Sequence, residues 1–301
     1  MTATAAQMPQ RPDLAGARVT FPRLVRAEWI KLRSIRSTVW CYLVLFVLSI
    51  LMSVLPALVV NRSGTAVTGV DADSTVATIN TISIHLTALV VAVLGVLIVS
   101  GEYGTGQIRS TFIADPRRLG ATFAKALVLA TTTFVISAAS VWIGAFASAP
   151  ILSSRHIDVN LGHSAVFLPI LGGSVYVTLV ALLAFGIGTL VRATAGGIAI
   201  TLGLLLVVPG ILSAIGVLTH TQWLLDVNQF LPSQAGAQLF AFSGDAHGVV
   251  VHAGGGAAAG GPADLTSPNI QLDGWQGFWV LLGEVVAVGI VAFTLTKRRD
   301  A

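Results

Sequence analysis

Charge is what this sequence has least of. Of 301 residues only 10% are Asp, Glu, Lys or Arg against 54% hydrophobic, and the mean hydropathy is +0.85. A water-soluble domain carries about 25% charged residues. A chain this poor in charge cannot cover a water-facing surface, so much of it must face lipid. Cysteine is almost missing: Cys41 stands alone, which excludes an intrachain disulfide. No stretch carries the period-two alternation of a half-buried strand. A nucleotide site is missing too. Gly101 and Gly106 have the spacing of a phosphate loop, but Gln107 and Ile108 stand where Lys and Ser/Thr are required, and no strand precedes them. His85, His156, His163, His220, His247 and His252 form no HxxxH or HExxH pair and have no cysteine partner, so no metal site is expected. No Ser–His or Asp–Asp pair sits at membrane depth, which argues against an intramembrane enzyme. Residues 1–20 contain no apolar run of the kind a cleaved leader needs and read as a disordered tail.

What is present is a set of six apolar runs, each near the roughly 20 residues that cross a bilayer as a helix. They fall at about 39–60, 82–100, 121–147, 165–190, 196–218 and 275–296. The expected fold is therefore an all-α membrane protein with six transmembrane helices. With the start of the chain in the cytoplasm, fifteen of seventeen Lys and Arg residues lie on the inner side, all but Arg62 and Arg155. That is a strong positive-inside pattern, and it accounts for the +4 net charge without a nucleic-acid partner. Both termini are then cytoplasmic. The outer loops would be 61–81, 148–164 and 219–274. In the last, QWLLDVNQFLPSQAGAQLFAF predicts short helices on or dipping into the interface, and HAGGGAAAGGP a flexible tip.

Two polar stretches flank these runs on the inner side. Over 21–40 the apolar residues Phe21, Leu24, Val25, Trp29, Leu32, Ile35 and Val39 share one helical face, and Arg23, Arg26 and Arg33 fall opposite. This is the pattern of a helix lying in the membrane interface. Glu28 interrupts the apolar face, with Lys31 placed for an i,i+3 pair. The second stretch, GEYGTGQIRSTFIADPRRLGATFAK from Gly101 to Lys125, is glycine-rich and basic. Gly101, Gly104 and Gly106 predict a break where the second membrane helix meets water. Thr105 is a candidate N-cap, and Ile108 and Phe112 form an apolar edge at i,i+4. Asp115–Pro116 restarts a helix, and Lys125 is placed to snorkel to the phosphates.

EWIKLRSIRSTVW (28–40), SGEYGTGQIRSTFIADPRR (100–118), GIGTLVRATAGGIAI (186–200) and NQFLPSQAGAQLF (228–240) together resemble the permease subunits of ABC-2-type transporters, particularly actinobacterial ones. The resemblance spans 21–299. It implies a type V exporter-like transmembrane domain in a bacterial plasma membrane, with an elbow helix over 21–38 and a coupling helix near 104–114. It implies two permease chains, a homodimer in the simplest case, above two soluble ATPases that bind ATP and Mg. Thr105, Gln107, Ile108, Arg109, Phe112 and Arg117 would then meet the ATPase, and Glu102 would stand at the cytoplasmic gate. This chain would carry no catalytic residue or cofactor of its own.

Glu284 is the one acidic residue inside an expected span and away from its ends. An intramembrane carboxylate lines a substrate path, carries a proton, or sits protonated at a packing interface. The proton role defines an alternative, a secondary transporter; a membrane anchor or sensor without transport is another. Gly186, Gly188, Gly196, Gly197 and Gly203 permit close helix approach within or between chains. Pro209–Gly210 predicts a kink in the fifth helix.

Overall fold

The computed structural model describes residues 20–60, 66–104, 119–241, 268 and 270–299. Among them the chain is all-helical, without strands, and six helical segments are long and apolar enough to cross a membrane. The elements run α1 (Phe21–Ser34), α2 (Arg36–Val59), α3 (Val70–Thr81), α4 (Ser83–Gly104), α5 (Leu119–Ser154), α6 (Ser164–Val191), α7 (Thr194–Leu202), a π-helical turn (Gly203–Val207), α8 (Val208–Leu218), α9 (Gln222–Gln229), α10 (Pro232–Ala237) and α11 (Gly274–Arg299).

The interfacial helix is shorter than the expected 21–38. It stops at Ser34, whose hydroxyl donates to the Lys31 carbonyl at 2.9 Å, and Ile35 adopts an extended conformation before α2 begins. The second span is longer than the expected 82–100. Residues 70–81, read from sequence as part of an outer loop, form α3 and run into α4 as one segment, Val70–Gly104, with a break only at Ile82. Asp71 and Asp73 favour the first turn of α3 through the helix dipole. At the break, Asn80 and Thr81 donate back to the Val76 and Ala77 carbonyls, a local bonding that bends helices. At its other end α4 does not stop at Gly101, as expected, but continues to Gly104.

The third and fourth spans, α5 and α6, begin near the expected positions. α5 extends seven residues past 147, to Ser154. The irregularity expected at Pro209–Gly210 takes the form of the π turn just before it. Proline cannot donate to the residue four back and crowds its carbonyl, and a widened turn relieves both.

α6 is the most enclosed span and packs on α4, α5 and α11. Its closeness to α4 rests on glycine: a Cβ on Gly95 would lie 2.5 Å from the Ala181 carbonyl oxygen, and one on Gly188 would lie 3.1 Å from Val96 Cα. The glycines expected to allow close approach do so within this chain at Gly186, Gly188 and Gly197, whereas Gly203 has open space beside it. Serines do the same between α2 and α5, where Ser53 fits against Gly144. α9 and α10 are the short helices expected after the fifth span. α10 enters the bundle, with Gly236 against Tyr176 and Leu281.

The helices alternate in direction, so the charged side chains segregate. Lys31, Arg33, Arg36, Lys125 and Arg192 belong to one end, the basic end. Asp71, Asp73, Asp158, Asp226 and Asp273 belong to the other, the acidic end, where Arg155 is the exception. There a single parallel bridge between Val67 and Ile157 ties the chain ahead of α3 to the chain after α5.

Candidate functional site

At the basic end, four charged side chains from three helices meet. Glu28 and Lys31 stand one turn apart on α1 and form the pair their spacing predicts, at 2.9 Å. Lys125, in the second turn of α5, reaches Glu28 Oε2 at 2.8 Å and Glu102 Oε1 at 2.6 Å. Lys31 closes the circuit to Glu102 Oε1 at 3.3 Å. The result is a ring of alternating charge, Glu28–Lys125–Glu102–Lys31, with no net charge. Glu28, Glu102 and Lys125 are buried. Buried charges persist only when paired and hydrogen-bonded. Burial pulls the Lys31 ammonium down, but its hydrogen bond to Glu28 and the charges of both carboxylates outweigh this and hold its pKa above the usual 10.5.

The ring changes the meaning of two residues. Glu28 is not an interruption of the apolar face of α1; it is that helix's one buried residue. Lys125 does not snorkel outward, because two carboxylates inside the bundle solvate it better than the interface would. The same contacts explain why α4 runs through Gly101. A glycine in a helix interior costs about 1 kcal/mol relative to alanine, but Glu102 is held by the ring and Tyr103 by Arg192, whose guanidinium lies 5.0 Å from the ring centroid. Thr194 adds a hydrogen bond to Ser100 at 3.0 Å. The last turn of α4 is thus fastened to α1, α5 and the α6–α7 junction. Glu102 Oε2 is buried with no hydrogen-bond partner among the described residues.

Among the described residues, Glu102 is the sequence-derived candidate that this site contains. Thr105, Gln107, Ile108, Arg109, Phe112 and Arg117 lie outside the described residues, in the segment connecting α4 to α5. Glu284 lies on α11, half-buried, between Leu281, which packs on Gly236, and Val288, which packs on Gly186. Its Oε2 is buried without a hydrogen-bond partner among the described residues. The histidines are dispersed: His85 stacks edge-on against Phe240, and His163 pairs with Asp73 at 2.5 Å. Among the described residues no group of three or more His, Cys, Asp or Glu side chains is placed to hold a metal ion.

Sequence reading missed the link from Glu28 to Lys125 and Glu102. The available signal was the burial cost itself: three charges at positions expected to be apolar or interfacial, two of one sign and one of the other, need one another. Neither a family model nor a curated protein sequence matches this chain.

Proposed function

We propose that this chain is the membrane-spanning permease subunit of an ATP-driven ABC-2-type exporter in a bacterial plasma membrane. The observation that carries the reading is the charge ring. It fastens an interfacial helix to the last turn of α4 and the second turn of α5, the two helices that residues 105–118 connect. Force applied to that connection by a soluble partner passes into two spanning helices and the interfacial helix as one rigid body rather than being absorbed by a loose end. In this reading the basic end is cytoplasmic, as the Lys and Arg distribution favours. Thr105, Gln107, Ile108, Arg109, Phe112 and Arg117 meet the ATPase. Two ATPase copies bind ATP and Mg, and a second copy of this chain completes the membrane unit.

The test is reconstitution. The chain is expected to co-purify with an ATPase, and Arg109→Glu or Arg117→Glu to leave ATP hydrolysis running while transport falls. Unchanged coupling in both variants would count against the assignment.

The buried Oε2 of Glu284, without a hydrogen-bond partner among the described residues, favours a second reading, proton-coupled transport with no ATPase. It requires transport by the chain alone under an imposed proton gradient, lost in Glu284→Gln. Transport that collapses when the ATPase is removed rejects it.

A further inference from the structure

A cavity of about 610 Å³ opens at the acidic end, between α3, the first turns of α6, the chain after α10 and the start of α11. Its volume lies in the range of about 300–1,000 Å³ that small-molecule sites occupy. Along α6 it runs from His163 to Val175, about 18 Å of helix at 1.5 Å per residue. Leu168, Val175, Leu239 and Phe278 give it an apolar wall.

The charged lining has one sign. Asp73 and Asp273 face the cavity, and among the described residues no Lys or Arg does. Asp73 is only 9% exposed and engages His163 Nδ1 through Oδ2. Asp273 accepts the Gln276 N–H at 2.7 Å through Oδ1, while Gln276 Oε1 accepts the Asp273 N–H at 3.1 Å, a reciprocal cap that fixes the start of α11. Each carboxylate keeps one oxygen outside these bonds. Even a protonated His163 leaves two carboxylates facing one cation.

The geometry points to a binding site for an organic cation with an apolar body, such as a lipophilic phosphonium or ammonium compound. An anion of the same shape would meet two carboxylates and, among the described residues, no Lys or Arg. A cationic head placed beside Asp73 gains ionic attraction. The apolar body replaces water along the Leu168–Val175 wall. The site belongs to this chain alone and does not rest on the exporter reading.

The decisive comparison uses two ions of one shape and opposite charge, tetraphenylphosphonium and tetraphenylborate. Binding is measured on the full-length chain in phosphatidylcholine nanodiscs, with uptake by empty nanodiscs subtracted. Saturable binding of the phosphonium is expected, and none of the borate. Asp73→Asn should weaken it about tenfold, the scale of losing one charge-assisted contact. Leu168→Trp, at an exposed position that tolerates bulk, should weaken it by taking up volume. This second variant decides the matter if Asp73→Asn fails to fold. Four results overturn the proposal: equal binding of the two ions, no saturable binding of either, binding unchanged in both variants, or binding that emerges only when residues 242–267 are deleted. The last would assign the cavity to a segment of the chain itself.

Discussion

Lys125 stands between two buried carboxylates, so its removal leaves more behind than it takes away. In Lys125→Met, Glu28 and Glu102 stay buried with only the partly exposed Lys31 to serve both. Breaking a buried pair from one side costs about 3–5 kcal/mol. A clearly lower melting temperature is expected for the purified variant. Neutralising Glu28 as well, in Glu28→Gln with Lys125→Met, should restore part of the loss, because Lys31 is then left to pair with Glu102 alone. A double variant whose loss equals the sum of the two single losses would show that these contacts do not interact. Lys31 adds a pH signature. Its folded pKa is raised, so its contribution is complete below the usual 10.5 and disappears as pH climbs through the higher folded value. Lys31→Met should flatten that alkaline decline in a melting-temperature profile, and an unaltered profile would remove Lys31 as its source. Of the four charges, only the Glu28–Lys31 contact was legible in the sequence, since helix geometry fixes i,i+3 neighbours. Lys125 and Glu102 are 23 residues apart, and their meeting depends on how α4 packs against α5. Seen one element at a time, Lys125 is simply a cation near a helix end.

At the scale of elements, long apolar runs announced the six spans, and the places that differ share one cause. α3 was hidden because VDADSTVATINT is only weakly apolar on average, although Ala72, Val76, Ile79 and Asn80 keep a helical stripe that is buried. The period carried the information and the mean hydropathy concealed it. Glycine shows the same limit. Gly203 and Gly95 look alike in sequence, each lying within an apolar run. Only packing separates them, because Gly95 sits against the Ala181 carbonyl and Gly203 faces open space. Gly95→Ala should therefore cost about 1–3 kcal/mol through forced separation of α4 and α6. Gly203→Ala should be neutral or stabilising by about 0.5–1 kcal/mol, provided the chain is studied as a single copy. Melting temperatures of the two variants check this directly. Equal effects would mean that the α4–α6 approach is not set by the missing side chain. Loss of stability in Gly203→Ala confined to the oligomer would place a second copy beside α7.

For the molecule as a whole, the separation of charge into two ends makes orientation measurable. Lys and Arg concentrated at one end, Arg155 apart, and Asp at the other would arise in either orientation, since the bundle itself does not know which side is the cytoplasm. The asymmetry acts during insertion, where Lys and Arg near span ends are retained inside and Asp and Glu have little influence. The basic end is accordingly expected inside. Cys41 is the chain's sole thiol, so Cys41→Ala gives a clean background. In that background Arg36→Cys marks the basic end, and Asp158→Cys marks the acidic end. In intact cells a membrane-impermeant maleimide should label Asp158→Cys and spare Arg36→Cys until the membrane is opened. The reverse pattern would place residues 105–118 outside, where no ATPase could reach them. It would end the exporter reading while leaving the cation site at the acidic end standing, now facing the cytoplasm. Labelling of both sites in intact cells would indicate a chain inserted both ways, and the charge asymmetry would then have failed to orient it.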